Sequence, residues 1–392
     1  MKKLNAMIVG LALLAGLQSI RSQIPSLSIT QVGGQSLLYW PFSETSPLSL
    51  ESTTSLQSGL WTPEANAVRV DAYIVTNTSP TKFFRLIPSW QVAIPSGMFT
   101  MGNTLTNDTD LDDAIPTNVY VSKFYMDKNL VALAQWQPVF DWATNHGYRF
   151  EDWAYDGYNW LTNHGSGVTG VSLPVTGTTP AVGVDWFTCV KWCNARSELA
   201  GLTPAYYTDS TLTQVYRTGE NAISNACVNW AANGYRLPTE AEWEWAARGG
   251  LSGQRFPWGD TISRSQANYA GDTNSYFYDL GPNGPDPAVY DTTNNIFILF
   301  RPGGFFPPNG YGLYDMAGNA FSWCWDGYTP VYAGGIDPHG PDGMPARVFR
   351  GGGFFFPASV ARCAARSYFT PQISINSPTP SLAIGFRCVR GQ

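Results

Sequence analysis

"NGYRLPTEAEWEWAARGG", residues 233–250, decides how the rest of the chain is read. Pro238 precedes Thr239, a candidate N-cap whose hydroxyl can accept an amide proton of the first helical turn. Glu242, three residues on, completes a T-x-x-E capping box. Trp243, Ala246 and Ala247 then share a buried face, and Gly249-Gly250 supplies a stop, so the stretch predicts a short, well-capped helix. Glu240, Glu242 and Glu244 read as parts of that helix and not as a catalytic acid pair.

Upstream, "DWFTCVKWCNARSELAG" (185–201) places Trp186, Cys189, Cys193 and, less regularly, Ala195 at helical spacing, with Gly201 as its stop. Cys189 and Cys193 fall one turn apart on one face. A further helix is predicted over about 134–144. "VYVSKFYMDKNLVAL" (119–133) reads as one strand with a following turn, and "QVAIPSGMFTMGN" (91–103) as a strand broken at Pro95-Ser96-Gly97. Between His146 and Ala181 a Gly/Ser/Thr-rich stretch carrying Trp153, Tyr155, Tyr158 and Trp160 reads as a long surface loop.

Residues 23–89 have another texture: short alternating runs such as "AVRVDAYIV" and "KFFRLI" between Ser, Thr, Pro and Gly. They predict a small all-β module with a turn at Asn77-Thr78-Ser79-Pro80 and with Trp40 and Trp61 in its core. The module resembles the β-rich accessory repeats of secreted bacterial proteins and reads as a spacer or anchor. Ahead of it, Lys2-Lys3, the apolar run "AMIVGLALLAGL" (6–17) and small polar residues to Ser22 follow the order of a secretory signal peptide. The expected division is therefore 1–22 signal peptide, 23–89 β-rich module and 90–392 large domain. The apolar run is too short to span a bilayer. The expected location is secreted, periplasmic or at the cell surface, without a transmembrane segment once the signal is removed.

Composition narrows the function classes. The 392 residues carry 23 Lys+Arg against 29 Asp+Glu, only 13% charged, where roughly 25% is usual. Without a basic stripe, nucleic acid and anionic membrane surfaces are poor partners. Gly (39) and Pro (28) are too frequent for a helical bundle or a regular α/β barrel. Six cysteines, at 189, 193, 227, 324, 363 and 388, favour disulfides in an oxidising compartment. Zinc is disfavoured because there is no CxxC and His146, His164 and His339 are scattered.

The 233–250 string resembles the signature of the formylglycine-generating, sulfatase-modifying-factor family. Further matches follow in the family's order: "IPSGMFTMG" (94–102), "PAVGVDWFTCVKWC" (180–193), "FPWGD" (256–260), "PPNGYGLYDMAGNAFSW" (307–323), "RVFRGGGF" (347–354), "RCAARS" (362–367) and "GFRC" (385–388). The resemblance covers about residues 91–390. It implies a single large α+β domain of C-type-lectin-like fold with little regular secondary structure, preceded here by the small all-β module.

The resemblance also implies site residues. Cys193 would pair with Cys388, stapling the last strand to an early helix. The family's second bridge would join Cys363 to the position held here by Ala247, so Cys363 is free or re-paired with Cys189, Cys227 or Cys324. Formylglycine-generating members bind copper(I) through two cysteines, since soft thiolates select that ion, and use it with dioxygen to oxidise a substrate cysteine. Those positions fall here on Phe356 and Ala358, with a few residues missing between, and Gly353 stands where a serine is usual. No copper is expected. The histidine pair of the iron-dependent branch of the family is also missing. Structural calcium, a hard cation wanting oxygen ligands, would be held at one site by Asn268, the Tyr269 carbonyl, Asn295 and the Phe297 carbonyl. A second would use Asp315 and the carbonyls of Gly318 and Ala320, with Ser322 in place of a glutamate.

Two functions follow as expectations. One is an exported family member without formylglycine-forming activity, binding an extracellular or periplasmic protein, peptide or glycan through an aromatic-rich face that includes Phe354-Phe355-Phe356. The alternative is an oxidoreductase modifying protein cysteines through another constellation, with Cys324 and Cys363 as candidates. Against that alternative stands an ordinary Cys324–Cys363 or Cys189–Cys227 disulfide.

Overall fold

In a computed structural model of the chain, the described residues are 90–150, 178–286, 300–372 and 384–391, with the backbone of the strands inside 28–88 and at 290–291 and 296–297. The expected signal peptide, Trp40, Trp61, the 77–80 turn, His164 and the aromatics of 153–160 lie outside them. Contacts divide the chain after Gln91 into two compact units. Among the described residues, the first holds two antiparallel three-stranded sheets. One is β1 (Ser28–Val32), β2 (Gln35–Tyr39) and β5 (Ala72–Val75); the other is β4 (Thr62–Pro63), β3 (Leu48–Thr53) and β6 (Phe83–Pro88).

The second unit is α+β with short elements. β7 (Gln91–Ile94) joins the order β11–β19–β10–β7, where β10 is Phe124–Asp127, β11 Tyr235–Arg236 and β19 Val389–Arg390. β8 (Gly97–Met101) pairs antiparallel with β9 (Thr117–Val121), and β15 (Gly335–Ile336) adds parallel to β9. The third sheet runs β17–β16–β14–β18, with β14 at Phe321–Gly327, β16 at Arg347–Arg350, β17 at Ser367–Phe369 and β18 at Ile384–Gly385. Between these, β12 (Tyr290–Asp291) and β13 (Ile296–Phe297) form a hairpin pair. The single strand expected over 119–133 is thus two strands in two sheets. The break falls at Ser122, whose N–H and hydroxyl both donate to Asp337, 215 residues away.

Three α-helices of this unit lie among the described residues. α1 (Leu133–Thr144) packs on α2 (Trp186–Leu199): Trp136 stacks on Trp192 with ring centres 5.5 Å apart, and Phe386 meets both rings edge-on. α2 starts at Asp185, whose carboxylate accepts the Thr188 N–H at 2.5 Å. The sequence reading gave α2 one apolar face, but the helix is buried almost all round, including Lys191, Asn194 and Arg196. These three polar groups have partners: Asn194 bonds the backbone of Tyr206 and Tyr216, Lys191 donates to the Gly219 carbonyl, and Arg196 pairs with Asp127 at 2.6 Å.

α3 (Glu240–Arg248) is the predicted capped helix. Thr239 accepts the Glu242 N–H and Glu242 accepts the Thr239 N–H at 2.8 Å, closing the capping box. Gly249 ends it in the left-handed region (φ 56°), where a Cβ would come within 2.8 Å of the Gly310 nitrogen. Trp243, Ala246 and Ala247 are buried as read. Thr239→Ala is expected to destabilise the domain by about 1 kcal/mol, measured by chemical denaturation, since it removes one cap acceptor.

Each α3 glutamate holds arginine. Glu240 takes Arg366 with two bonds of 2.8 and 2.9 Å, Glu242 takes Arg236 with two of 2.6 Å, and Glu244 takes Arg248 and Arg350 together with the Gly102 N–H. These carboxylates are structural acceptors that tie α3 to β11, β16 and the segment after Cys363.

Candidate functional site

The turn after β16 carries the positions at which copper ligands were expected. Phe354 is buried, Phe355 is 62% exposed, and Phe356 is half-buried with its ring 5.0 Å from Phe321. Phe321 also meets Phe349 edge-on at 4.9 Å. Phe356 therefore extends the large core built on α1 and α2. Ala358 is fully buried in a different cluster, with Phe256, Ile262 and Tyr269. The divergence comes from the 3-10 turn Ala358–Ala361, which begins directly after Pro357. The two side chains belong to separate apolar clusters and neither bears a ligand atom, so the residues present do not fit copper(I).

The cysteines offer no substitute. Cys324 sits fully buried on β14, and burial, reinforced by the field of Glu240, holds its thiol well above the ordinary value. Burial pushes Cys363 up to about 12. A nucleophilic cysteine needs an accessible thiolate, and these two are inert packing residues of the same core cluster, which also contains Ala247. Cys193 and Cys388 are brought together in the core, with their sulfurs 3.6 Å apart.

The oxygen-rich loops fare differently. Asn268 and Tyr269 are adjacent and fully buried. Asn295 lies outside the described residues and Phe297 is described only as strand backbone, so the first expected calcium set lies only partly within the described residues. Of the second set, Asp315 is buried at φ 54°, and neither oxygen of its carboxylate has a hydrogen-bond partner. The Ser322 hydroxyl is buried and unpartnered too, and Gly318 and Ala320 lie in the loop between them. Burial raises the Asp315 carboxyl to about 6, with Arg387 and, more weakly, Gly304 and Asn319 pulling it back. Arg387 spends its own donors on carbonyls of Asp127, Lys128, Tyr314 and Asp315. A buried carboxylate with two orphaned oxygens offers the donor type that a hard cation takes.

A cavity of about 260 Å³ is lined by Lys123, Trp230, Arg236, Glu242, Asp337 and His339 among others. His339 stacks on Trp230 with ring centres 3.5 Å apart, Arg236 is held by Glu242, and Asp337 by Ser122. Its polar groups largely satisfy one another. Exposed aromatics occur instead near the β16 turn. Phe305, 58% exposed, lies under the Arg301 guanidinium at 4.8 Å, while Phe300 packs edge-on against Phe354, whose neighbour Phe355 points outward. The sequence reading missed Phe305 and the arginines of "RVFR" and "RCAARS". A signal was available in the scarcity of charge itself, because lone arginines inside apolar strings imply buried partners.

Three comparisons bear on this geometry. The profile of the sulfatase-modifying factor enzyme 1-like domain matches residues 80–392. The formylglycine-generating enzyme of Streptomyces coelicolor is 32% identical over 319 residues, covering 76% of this chain and 88% of that protein. The chaperone protein LppX of Paenibacillus barcinonensis is 30% identical over 288 residues, 69% and 87% of the two chains. Among solved structures, that of CarF superposes with a TM-score of 0.53 at 25% identity, covering 76% of this chain and 97% of that one. The α+β architecture described above is that C-type-lectin-like fold.

Proposed function

The chain belongs to the sulfatase-modifying factor enzyme 1-like domain family, and from that premise we propose that it is an exported binding or scaffold member that does not form formylglycine. The observation carrying this reading is the fate of the copper-ligand positions, where Phe356 and Ala358 are packed into separate apolar clusters. Aromatic rings stand exposed there instead: Phe355 at the turn itself, next to Phe354, which packs on Phe300, and Phe305 under the Arg301 guanidinium. Exposed aromatic groups beside a guanidinium suit an extracellular or periplasmic peptide or glycan. The name of the LppX relative, a chaperone, agrees with a protein-facing role. Among the described residues no helix is long and apolar enough to cross a membrane. Export rests on the Lys2-Lys3 and 6–17 pattern. Calcium, bound with the Asp315 carboxylate, would brace the loop leading into β14.

The test is aldehyde formation on a cysteine-containing sulfatase-type peptide in the presence of copper(I) and dioxygen, read by hydrazide capture. No aldehyde and no retained copper are expected, for the chain as it is and for Phe356→Cys/Ala358→Cys, because the two positions face different clusters. Stoichiometric copper with aldehyde product from the unmodified chain would overturn the reading. The alternative, cysteine oxidation through Cys324 and Cys363, is disfavoured by their burial.

A further inference from the structure

A separate cavity of about 400 Å³ opens where β16 begins, within the size range of small-molecule sites. Phe187, Ile223, Met344 and Pro371 give it apolar walls, Glu220 and Ala222 also line it, and Arg347 supplies its cation. Arg347 is only 6% exposed, with its guanidinium over the Trp186 ring at 3.9 Å and 5.2 Å from the Trp325 ring. It donates to the Trp325 carbonyl at 2.7 Å and more weakly to the Ile223 carbonyl at 3.4 Å.

What sets Arg347 apart is its lack of a carboxylate. Arg196 has Asp127, Arg236 has Glu242, Arg248 and Arg350 share Glu244, and Arg255 and Arg362 share Asp108. Arg387 bonds no carboxylate, but it lies in the field of Asp315 and four backbone carbonyls surround it. Arg347 has neither arrangement among the described residues, and Asp326 and Asp342 reach it only through their fields. Burial without a counter-ion pulls it down to about 10. A buried cation is costly unless paired, and this one borders an open cavity. A planar guanidinium fixed by aromatic stacking is a carboxylate receptor with its geometry already set.

We propose that this cavity binds the free carboxylate of an apolar α-amino acid residue, with Arg347 on the carboxylate and the side chain against Phe187, Ile223 and Met344. The carboxylate could belong to a free amino acid, whose ammonium would meet Glu220, or to the C-terminal residue of a peptide. The inference does not rest on the reading of the copper positions and holds whether or not the domain oxidises cysteines.

Calorimetric titration of the full chain with N-acetyl-L-phenylalanine, its carboxamide and L-phenylalanine tests it. At least one acid is expected to bind, with the amide at least about tenfold weaker, since it loses the charged acceptor. Tighter binding of L-phenylalanine identifies a free amino acid as the source, and tighter binding of the acetylated acid a peptide terminus. Arg347→Met is expected to abolish binding. Because Arg347 also props Trp186 and Trp325, Ala222→Trp serves as a second variant: Ala222 is an exposed residue of the cavity lining, where added bulk takes ligand space rather than core space. It should weaken binding at least about tenfold with an unchanged melting temperature. Equal affinity for acid and amide, no binding of either acid, or undiminished binding by Ala222→Trp would each overturn the proposal.

Discussion

Replacing Glu244 by glutamine is expected to lower the unfolding free energy of the large domain by about 3–5 kcal/mol, the usual cost of breaking a buried ion pair from one side. Glu244 is fully buried at the middle of α3 and accepts from Arg248 at 2.7 Å, from Arg350, and from the Gly102 N–H at 2.8 Å. Removing its charge leaves two buried guanidinium groups with one carboxylate fewer. For a domain whose total stability is about 5–15 kcal/mol, such a loss is a large fraction. Urea denaturation followed by tryptophan fluorescence reads it, because Trp243 lies in the same core. Burial alone would raise the Glu244 pKa, but Arg248 and Arg350 outweigh it and hold the carboxyl below its ordinary value. A depressed folded pKa gives stability that is present above the unfolded value and lost as pH falls through the folded one. The gap between the natural chain and Glu244→Gln should therefore be full at neutral pH and close in acid. A loss under about 1 kcal/mol would mean that Arg350 re-pairs with Glu240, now 3.6 Å from its Nε.

That network also marks the boundary of what was legible in the sequence. The α3 helix could be read because its determinants are local: the Thr239 cap, Glu242 three residues on, and Gly249 at the stop. The apolar residues at the expected copper positions could be read because Phe356 and Ala358 are facts of the string. The destinations of the arginines could not, since Arg350 reaches Glu244 across 106 positions and Arg362 reaches Asp110 across 252. Local propensity carries no information at such separations. The split between β9 and β10 was hidden for the same reason, as the carboxylate that breaks the strand at Ser122 comes from Asp337. The all-round burial of α2 was masked by Lys191, Asn194 and Arg196, which look like a solvent face until their backbone and carboxylate partners are placed. In a chain with so few charges, many of those present are internal fastenings rather than surface decoration. The same logic makes Arg347, a buried cation bonded to no carboxylate among the described residues, more informative than any charge on the surface.

Calcium is expected to raise the melting temperature of the large domain at pH 7.5, and Asp315→Asn to remove that response. The argument starts from cost. A buried carboxylate with no hydrogen bond to either oxygen is unfavourable, and a loop that holds it at positive φ adds strain. Without a cation the carboxyl answers by keeping its proton, which is why burial lifts it from 3.8 to about 6. A raised folded pKa means that the folded chain binds more protons than the unfolded chain between about 4 and 6, so metal-free stability falls as pH rises through that window. A cation reverses this, because it binds the ionised form. The calcium-dependent gain should be small at pH 5 and grow as pH passes about 6. Calcium at about a hundred times its dissociation constant adds about 2.7 kcal/mol. Asp315→Asn removes the titration and the ligand charge together, so its metal-free form should lose the pH dependence that the natural chain shows between pH 4 and 6. Scanning calorimetry with calcium and with a chelator, at pH 5.0 and 7.5, reads all four values. If the natural chain melts at the same temperature with and without calcium at pH 7.5, Arg387 alone is the counter-charge of Asp315. The loop before β14 would then be braced by protein atoms only.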